Sequence, residues 1–121
     1  MKLNKIKLCL EASNRLRHLK GRTGLTPNIL CRIGFCLSLR ESGLPNTEVY
    51  PEDGQEFNRY TLTGEWDSLF VALLKQRCFN DGLDTENGLE DYFRAHLNRG
   101  VLTLYQNCKD LSDLQRLLPR K

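Results

Sequence analysis

Apolar and polar residues alternate in the run NKIKLCL, at residues 4–10. Lys5 and Lys7 fall on one side of an extended chain, and the apolar residues fall on the other. This period of two is typical of a β-strand with one buried face. We therefore predict a short strand with a basic outer face; a frayed tail carrying two lysines is the alternative. Because an isolated strand leaves its edges unpaired, we expect it to pair with the same strand of a second subunit.

The hydrophobic period changes to that of a helix after this strand. Leu16 and Leu19 lie three residues apart and form an inner stripe, with basic residues around them. Ser13 has a side chain suited to a helix N-cap, and Gly21 and Gly24 can each adopt the left-handed backbone of a helix stop. The pattern predicts a first helix between Ser13 and Gly24.

A second helix is predicted from Pro27 to Arg40. Thr26 is a good N-cap, and proline is favoured at the first helical position. A glycine at position 34 costs a helix up to about 1 kcal/mol relative to alanine, so we expect another helix backbone to approach there. We expect this helix to form the centre of the core, through an apolar stripe made of Ile29, Leu30, Ile33, Cys36 and Leu37.

Loops and short elements follow. Residues 44–56 contain two prolines, one glycine and four acidic residues, and they predict a loop. Residues 57–63, FNRYTLT, are rich in β-forming residues and predict a short strand. A helix is predicted at residues 65–79, packed against the second helix through an apolar face that comprises Trp66, Leu69, Phe70, Leu73 and Leu74.

The last long helix is predicted at residues 89–105. Gly100 lies within it and predicts a kink or a break, and Ser112 is expected to cap a short final turn. The inward residues of the long helix are expected to be Leu89, Phe93, Leu97, Val101 and Leu104.

These elements predict one compact, mainly α domain, since 121 residues is the length of a single domain. The order strand, helix, helix in residues 1–44, with lysines on the strand face, is the layout of a ribbon-helix-helix module. Residues 45–64 add a loop and a short strand, and residues 65–121 form a helical remainder. The fold class is therefore a ribbon-helix-helix-like N-terminal module with additional C-terminal helices.

Charge is divided unevenly along the chain. Residues 1–44 carry nine basic and two acidic residues, whereas residues 45–121 carry nine basic and thirteen acidic ones. No acidic residue lies between Ser13 and Arg40. Like charges crowded in this way repel one another, so the front of the chain is expected to bind an anionic partner.

Cysteine content and hydrophobicity place the chain in the cytoplasm. The five cysteines are an odd number without a CxxC pair, which argues against a disulfide framework. Cys31 and Cys36 also lack the usual ligand spacing of a zinc site. No run of about 18 apolar residues could span a membrane, and lysines interrupt the apolar run that a signal peptide needs. We expect a cytoplasmic protein without membrane contact.

Motifs of known enzyme classes are absent from the sequence. It contains no P-loop, GxSxG or HExxH. Asp81, Asp84 and Glu86 lie in a predicted loop, where acidic residues are usually solvated. His96 lies beside Leu97 on a helix, where packing or hydrogen bonding is a more common role than catalysis. We therefore predict no enzymatic activity, no catalytic residue, no metal and no cofactor.

Two motifs carry a resemblance to a known family. The run LKGRTGLTPNILCRIGFCLSLRESG, from Leu19 to Gly43, and the later HLNRG, from His96 to Gly100, resemble the DndE family of bacterial DNA phosphorothioation systems. The resemblance implies a fold related to ribbon-helix-helix proteins and a homo-oligomer, expected to be a tetramer. It further implies that the protein binds double-stranded DNA, preferably nicked, and works beside other DNA sulfur-modification proteins, which perform the sulfur chemistry.

The leading hypothesis is a non-enzymatic DNA-binding accessory protein. The resemblance supplies no catalytic residue, so the expected DNA contacts are chosen by charge and face. A scaffold for the modification enzymes, which the acidic back half would favour, and an ordinary ribbon-helix-helix repressor are alternatives. A sulfur-carrier role for Cys31 or Cys36 is a further one. The residues expected to contact DNA are Lys2, Lys5, Lys7, Arg15, Arg17, Lys20 and Arg22.

Overall fold

The N-terminal strand finds its partner within the same chain. In a computed structural model that describes residues 1–117, β1 (Lys5–Lys7) pairs antiparallel with β2 (Glu56–Asn58). Ile6 lies opposite Phe57, and both side chains are buried. The strand is shorter than predicted, and the premise that it is isolated is wrong. Residues far along the chain return to pair with it in the place expected for a second subunit.

Helix α1 (Leu10–Thr23) begins three residues before the expected N-cap. The Sγ atom of Cys9 accepts the cap hydrogen bond from the Ala12 amide, at 3.4 Å. Ser13 lies inside the helix and is buried, and its Oγ accepts a hydrogen bond from the Gln55 amide at 2.7 Å. The predicted stop at Gly24 is confirmed, because this residue has the left-handed φ of 76°.

Helix α2 (Pro27–Arg40) has the predicted bounds and the predicted Thr26 cap. Its buried side is different from the predicted one. Of the predicted stripe only Leu30 is fully buried, whereas Ile29 is exposed and the others are half-buried. α2 is apolar on most sides, so residue spacing could not identify the side that faces the core. The core side comprises Leu30, Cys31, Gly34, Phe35 and Ser38.

Helix α5 (Leu89–Asn107) packs along α2 and runs unbroken through Gly100. A Cβ atom at Gly34 would lie 2.8 Å from the Gly100 carbonyl carbon, and one at Gly100 would overlap the Gly34 carbonyl. The expected close helix approach at Gly34 is therefore confirmed, and Gly100 serves the same contact instead of a kink. All five predicted inward residues of α5 are buried.

The short elements depart most from expectation. Residues 57–63 form the end of β2 followed by α3 (Arg59–Thr63), because the Asn58 side chain accepts hydrogen bonds from the Tyr60 and Thr61 amides and starts a helix. A 3-10 turn of residues Leu111–Asp113 is capped by Asp110, so the expected Ser112 cap is wrong. The last described element is α6 (Leu114–Leu117).

Helix α4 (Asp67–Asn80) buries only part of its predicted face. Phe70 and Leu74 are buried, but Leu69 and Leu73 are exposed. The expected packing of this helix against α2 is confirmed, since the Phe70 ring centre lies 5.7 Å from that of Phe35 on α2. Trp66 does not share the buried face: it ends a 3-10 turn, Gly64–Trp66, just before α4, and 52% of it is exposed. Among the helices of residues 1–117, none has the length and apolar character needed to cross a bilayer.

The glycine contact between α2 and α5 gives a direct stability prediction. We expect Gly34→Ala to lower the free energy of unfolding by about 1–3 kcal/mol, since the added methyl group overlaps the backbone of α5. Gly21→Ala in α1 is the matched control, because no atom lies within 4 Å of the position that its added methyl group would take. We expect this control to stabilise by about 0.5–1 kcal/mol. Urea unfolding measures both, and equal stability of the two variants would contradict the prediction.

Candidate nucleic-acid interface

The seven basic residues expected to contact DNA lie at the surface in three places. Arg15 is half-buried, and the other six are exposed. Lys5 and Lys7 project from the outer face of β1, close in sequence to Lys2. Arg15 and Arg22 are two helical turns apart and share one side of α1. The structure brings this pair together at Tyr105. The remaining two, Arg17 and Lys20, are one turn apart on another side of α1.

Most of these front cations have no carboxylate partner. Within residues 1–117, Lys5 alone among the seven forms an ion pair, with Glu56 at 3.9 Å, and both side chains are largely exposed. Such a pair is weak and easily exchanged for another anion. The predicted interface therefore carries positive charge that the described part of the chain leaves uncompensated.

The arginines of the rear half are used differently. Five of them form ion pairs with carboxylates, and most of these guanidinium groups are largely buried. The four largely buried arginines link distant parts of the fold, whereas Arg116 is exposed and its pair with Asp113 lies within one helical turn. The pairs are Arg59–Asp67 at 2.9 Å, Arg77–Asp81 at 2.8 Å, Arg94–Glu52 at 3.3 Å, Arg99–Glu41 at 3.5 Å and Arg116–Asp113 at 2.7 Å.

Arg59 fixes the segment that carries the front lysines. Its Nη1 donates hydrogen bonds to the carbonyl groups of Met1 and Leu3, at 3.1 and 3.0 Å, while Nε and Nη2 bind both Asp67 oxygens. Burial alone would raise the pKa of the Asp67 carboxyl. Hydrogen bonds from Arg59 and Thr63 outweigh this effect and lower the pKa. Sequence patterns gave no signal for this bridge, because its two ends are nearly 60 residues apart.

Tyr105 joins two of the predicted DNA contacts. Its phenol oxygen accepts hydrogen bonds from Arg22 Nη2 at 3.1 Å and from Arg15 Nη1 at 3.4 Å. The two guanidinium carbons lie 4.4 and 4.6 Å from the centre of the Tyr105 ring, within cation–π range. The His18 ring lies 6.2 Å from the same ring. Sequence reasoning missed Tyr105 and His18, because α5 meets α1 only in the folded chain.

Two residues of the HLNRG motif close a buried network around Ser38. Arg99 Nε donates to Ser38 Oγ at 2.8 Å, and Ser38 Oγ lies 2.8 Å from His96 Nδ1. Since Arg99 can only donate, the Ser38 hydroxyl is free to donate to His96 Nδ1, which holds a neutral imidazole with its proton on Nε2. Burial, with the nearby charges of Arg99 and Arg77, lowers the pKa of His96 to about 4. The expected hydrogen-bonding role of His96 fits this arrangement.

Asn98 of the same motif ties α5 to the start of α1. Its side-chain oxygen accepts a hydrogen bond from the Cys9 amide at 2.9 Å, and its nitrogen donates to the Arg94 carbonyl at 2.8 Å. Asn98 is fully buried, so these bonds are shielded from water. Together with Gly100, the motif is explained by packing and hydrogen bonding.

Cys31, Cys36 and the loop acids have the surroundings of structural residues. Burial raises the pKa of Cys31 to about 12, and it also raises the pKa of Cys36 despite the nearby charge of Arg40. These thiols therefore stay protonated at neutral pH. Asp81 is paired with Arg77, and Asp84 accepts two backbone hydrogen bonds within its own turn. No set of three potential metal ligands clusters within residues 1–117.

A second surface feature is an apolar groove between α2, α4 and α6. Arg32 and Arg40 stand at its edges, and the apolar lining comprises Ile33, Cys36, Leu37, Phe70, Leu114 and Leu117. The half-buried side of α2, which the residue spacing assigns to the core, thus forms a surface groove. Leu69 and Leu73 are further exposed apolar residues on α4, and Trp66, just before α4, is exposed as well.

His96 predicts a specific pH dependence of stability. Its pKa is about 4 in the folded protein and 6.5 in an unfolded chain. As pH falls from 6.5 to about 4, the unfolded state gains a proton that the folded state excludes, so stability falls by on the order of 3 kcal/mol. Below about pH 4 the folded protein binds the proton as well, so His96 causes no further fall in stability.

The matched variant is His96→Gln, which keeps a polar side chain without this titration. We expect its unfolding free energy, measured by urea titration at several pH values, to change less between pH 6.5 and 4 than that of the wild type. Carboxyl groups such as Asp67 titrate in both proteins, so their effect cancels. Parallel pH profiles would contradict the buried neutral His96.

Comparisons with solved structures agree with this architecture. The crystal structure of DndE from Escherichia coli B7A, described as involved in DNA phosphorothioation modification, has 28% sequence identity and a TM-score of 0.69; the match covers 86% of this chain and 98% of that chain. A mutant DndE, described as involved in DNA phosphorothioation, is 22% identical with a TM-score of 0.63, over 84% and 99% of the two chains, and shows the shared fold.

Sequence comparisons give the family. A search of curated protein sequences found no significant match. The profile of the family described as DNA sulphur modification protein DndE matches residues 5–112, which include both motifs that carried the resemblance. With most of the chain matched, the protein belongs to the DndE family of DNA phosphorothioation systems.

Proposed function

We propose that this protein is a non-enzymatic DNA-binding component of its phosphorothioation system, and that it binds duplex DNA, including nicked duplex, through the basic residues of β1 and α1. The family membership supplies the context of DNA sulfur modification. The contact surface is inferred from the charges described above. The strand-helix-helix order supports a relation to ribbon-helix-helix proteins, although β1 here pairs with β2 of its own chain.

The observation that carries this proposal is where the unpaired cations lie. Most basic residues of the front half have no carboxylate partner among the described residues, whereas the described arginines of the rear half have one. Within residues 1–117 the arginines after residue 44 are held in ion pairs, whereas six of the seven front residues are exposed and only Lys5 is in an ion pair. Arg59 and Asn98 fix the segments that carry them, so the front charges are presented on an ordered surface. A fixed array of unpaired cations suits a polyanion with regularly spaced charges.

Recognition by this surface would be largely independent of DNA sequence. Lysine and arginine side chains mainly contact phosphate oxygens, which position a protein on DNA without reading bases. Residues 1–44 contain only three Asn and no Gln. They contain one Phe and no Tyr or Trp, and that residue, Phe35, is buried. This composition disfavours both base reading and stacking on single strands.

A charge-reversal pair tests the proposed surface. We expect Lys7→Glu/Lys20→Glu to lower duplex affinity at least about tenfold and to reduce the slope of log affinity against log salt by about 2, since each phosphate contact contributes about 0.9. Gel-shift assays with intact, nicked and single-stranded DNA of several sequences over a salt range provide the measurement.

Lys75→Glu/Lys109→Glu is the control, because it makes the same change in net charge in the rear half. We expect it to retain most of the affinity. Equal losses in both variants would show that net charge alone matters. No binding by the wild type, together with partner proteins retained after nuclease treatment, would favour the scaffold. Strong preference for one sequence would favour the repressor. Persulfide on Cys31 or Cys36, found by mass spectrometry, would favour a sulfur carrier.

We further propose that the protein is a homo-oligomer. The resemblance to the DndE family implies that this oligomer is a tetramer. The apolar groove and the exposed apolar residues of α4 support this, because patches of this kind commonly mark protein interfaces. The acidic rear half and the loop at residues 44–56 are the surfaces we assign to the other modification proteins.

An aspartate placed on α4 tests the oligomer. We expect Leu69→Asp to lower the solution mass measured by light scattering, because a buried charge at an apolar interface is costly. Val49→Asp is the control, since Val49 is an exposed apolar residue of the loop at residues 44–56, beside the start of α1. A monomeric wild type would contradict the oligomer. An unchanged mass for Leu69→Asp would exclude this face.

A further inference from the structure

The geometry around Tyr105 points to a defined phosphate-binding site. We propose that Arg15 and Arg22 together bind one backbone phosphate of DNA, and that Tyr105 is the residue that positions them. This inference rests on the proposed DNA-binding function. It adds a specific ligand group and assigns a role to a residue of α5, a helix that otherwise serves the core.

The two arginines converge although they start about 10 Å apart along α1. Each guanidinium group lies against the Tyr105 ring, and each donates to the same phenol oxygen. Tyr105 itself is anchored on α5, whose neighbouring Leu104 is buried in the core. A side chain with few rotatable bonds therefore brings together two long side chains that would otherwise sample many rotamers.

An anion would relieve an electrostatic conflict in this cluster. Two positive groups share one acceptor, and within residues 1–117 neither of them has a carboxylate within ion-pair distance. Such proximity is repulsive until a negative charge enters between or beside the two groups. Arg15 is half-buried and Arg22 is exposed, so solvent ions reach the cluster from outside.

The available donors match a phosphate group. A planar guanidinium has five N–H donors, and each arginine uses only one on Tyr105, so several remain for phosphate oxygens. The phenol O–H of Tyr105 can also donate to a phosphate oxygen, since no acceptor for it is found within the described residues. Convergent charged donors of this type bind phosphate more strongly and more specifically than separate lysines do.

A purely structural role for the cluster is the competing explanation. Two arginines stacked on a tyrosine of α5 would also fasten α1 to α5. The two roles differ in what they predict: a fastener affects stability, whereas a phosphate site affects binding of anions. The experiment must therefore measure both quantities on the same variants.

Tyr105→Phe is the principal variant, because it retains the ring and removes the oxygen that orients both guanidinium groups. We expect duplex affinity to fall about 3- to 10-fold, while the thermal unfolding midpoint stays within about 2 °C of the wild type. The salt slope should fall by about 0.9, the value for one phosphate contact. Tyr92→Phe is the control, since it makes the same change in another half-buried tyrosine of α5.

Arg15→Lys/Arg22→Lys adds a second test that keeps the charge. We expect its duplex affinity to fall as in Tyr105→Phe, because lysine cannot supply the planar guanidinium donors. Titration of the wild type with inorganic phosphate, followed by NMR of arginine Nε–H signals, should shift Arg15 and Arg22 before the ion-paired Arg59.

The outcomes separate this site from the broader function. Duplex binding by the wild type with unchanged affinity in both variants would overturn the phosphate site and leave DNA binding intact. A loss of stability in Tyr105→Phe without a change in affinity would establish the structural role instead. A wild type that fails to bind duplex DNA would overturn the proposed function itself.

Discussion

The backbone contact between α2 and α5 is the constraint on which the other features depend. Gly34 and Gly100 let the two helices approach until a side chain on either one would overlap the other. This approach selects the buried side of α2 and places Phe35 against Phe93 in the core, with ring centres 5.0 Å apart. Because α5 is held at this distance, its polar residues also reach defined partners on either side of the contact.

Those partners explain why one helix serves both core and surface. Before the contact, His96 and Arg99 meet Ser38 on α2, and Asn98 meets the backbone that begins α1. Beyond it, Tyr105 reaches the outer side of α1 and gathers two arginines. The core helix α5 therefore sets the position of the basic surface, because it contacts α1 both at the beginning of α1 and on the outer face of α1.

The same architecture separates the paired charges of the rear half from the unpaired cations of the front half. Several carboxylates of the rear half pair with rear arginines or cap helices, as in Asp67 with Arg59 and Asp113 with Arg116. Within residues 1–117 one rear carboxylate, Glu56, pairs with a front cation, Lys5 of β1, and none forms an ion pair with a lysine or arginine of α1. A chain with a small net charge consequently keeps a strongly basic region, which is the physical basis for assigning it an anionic partner.

The local features follow from short stretches of sequence. The Thr26-Pro27 start of α2, the Gly24 stop of α1 and the inner face of α5 follow from capping and periodicity within a few residues, and the structure confirms them. The charge division and the family motif are likewise properties of the chain. Contacts between distant segments set four further features: the partner of β1, the core side of α2, the exposure of Trp66 and the meeting of the Arg15–Arg22 pair at Tyr105. Each of these depends on residues far apart in sequence, so no local pattern contains the information.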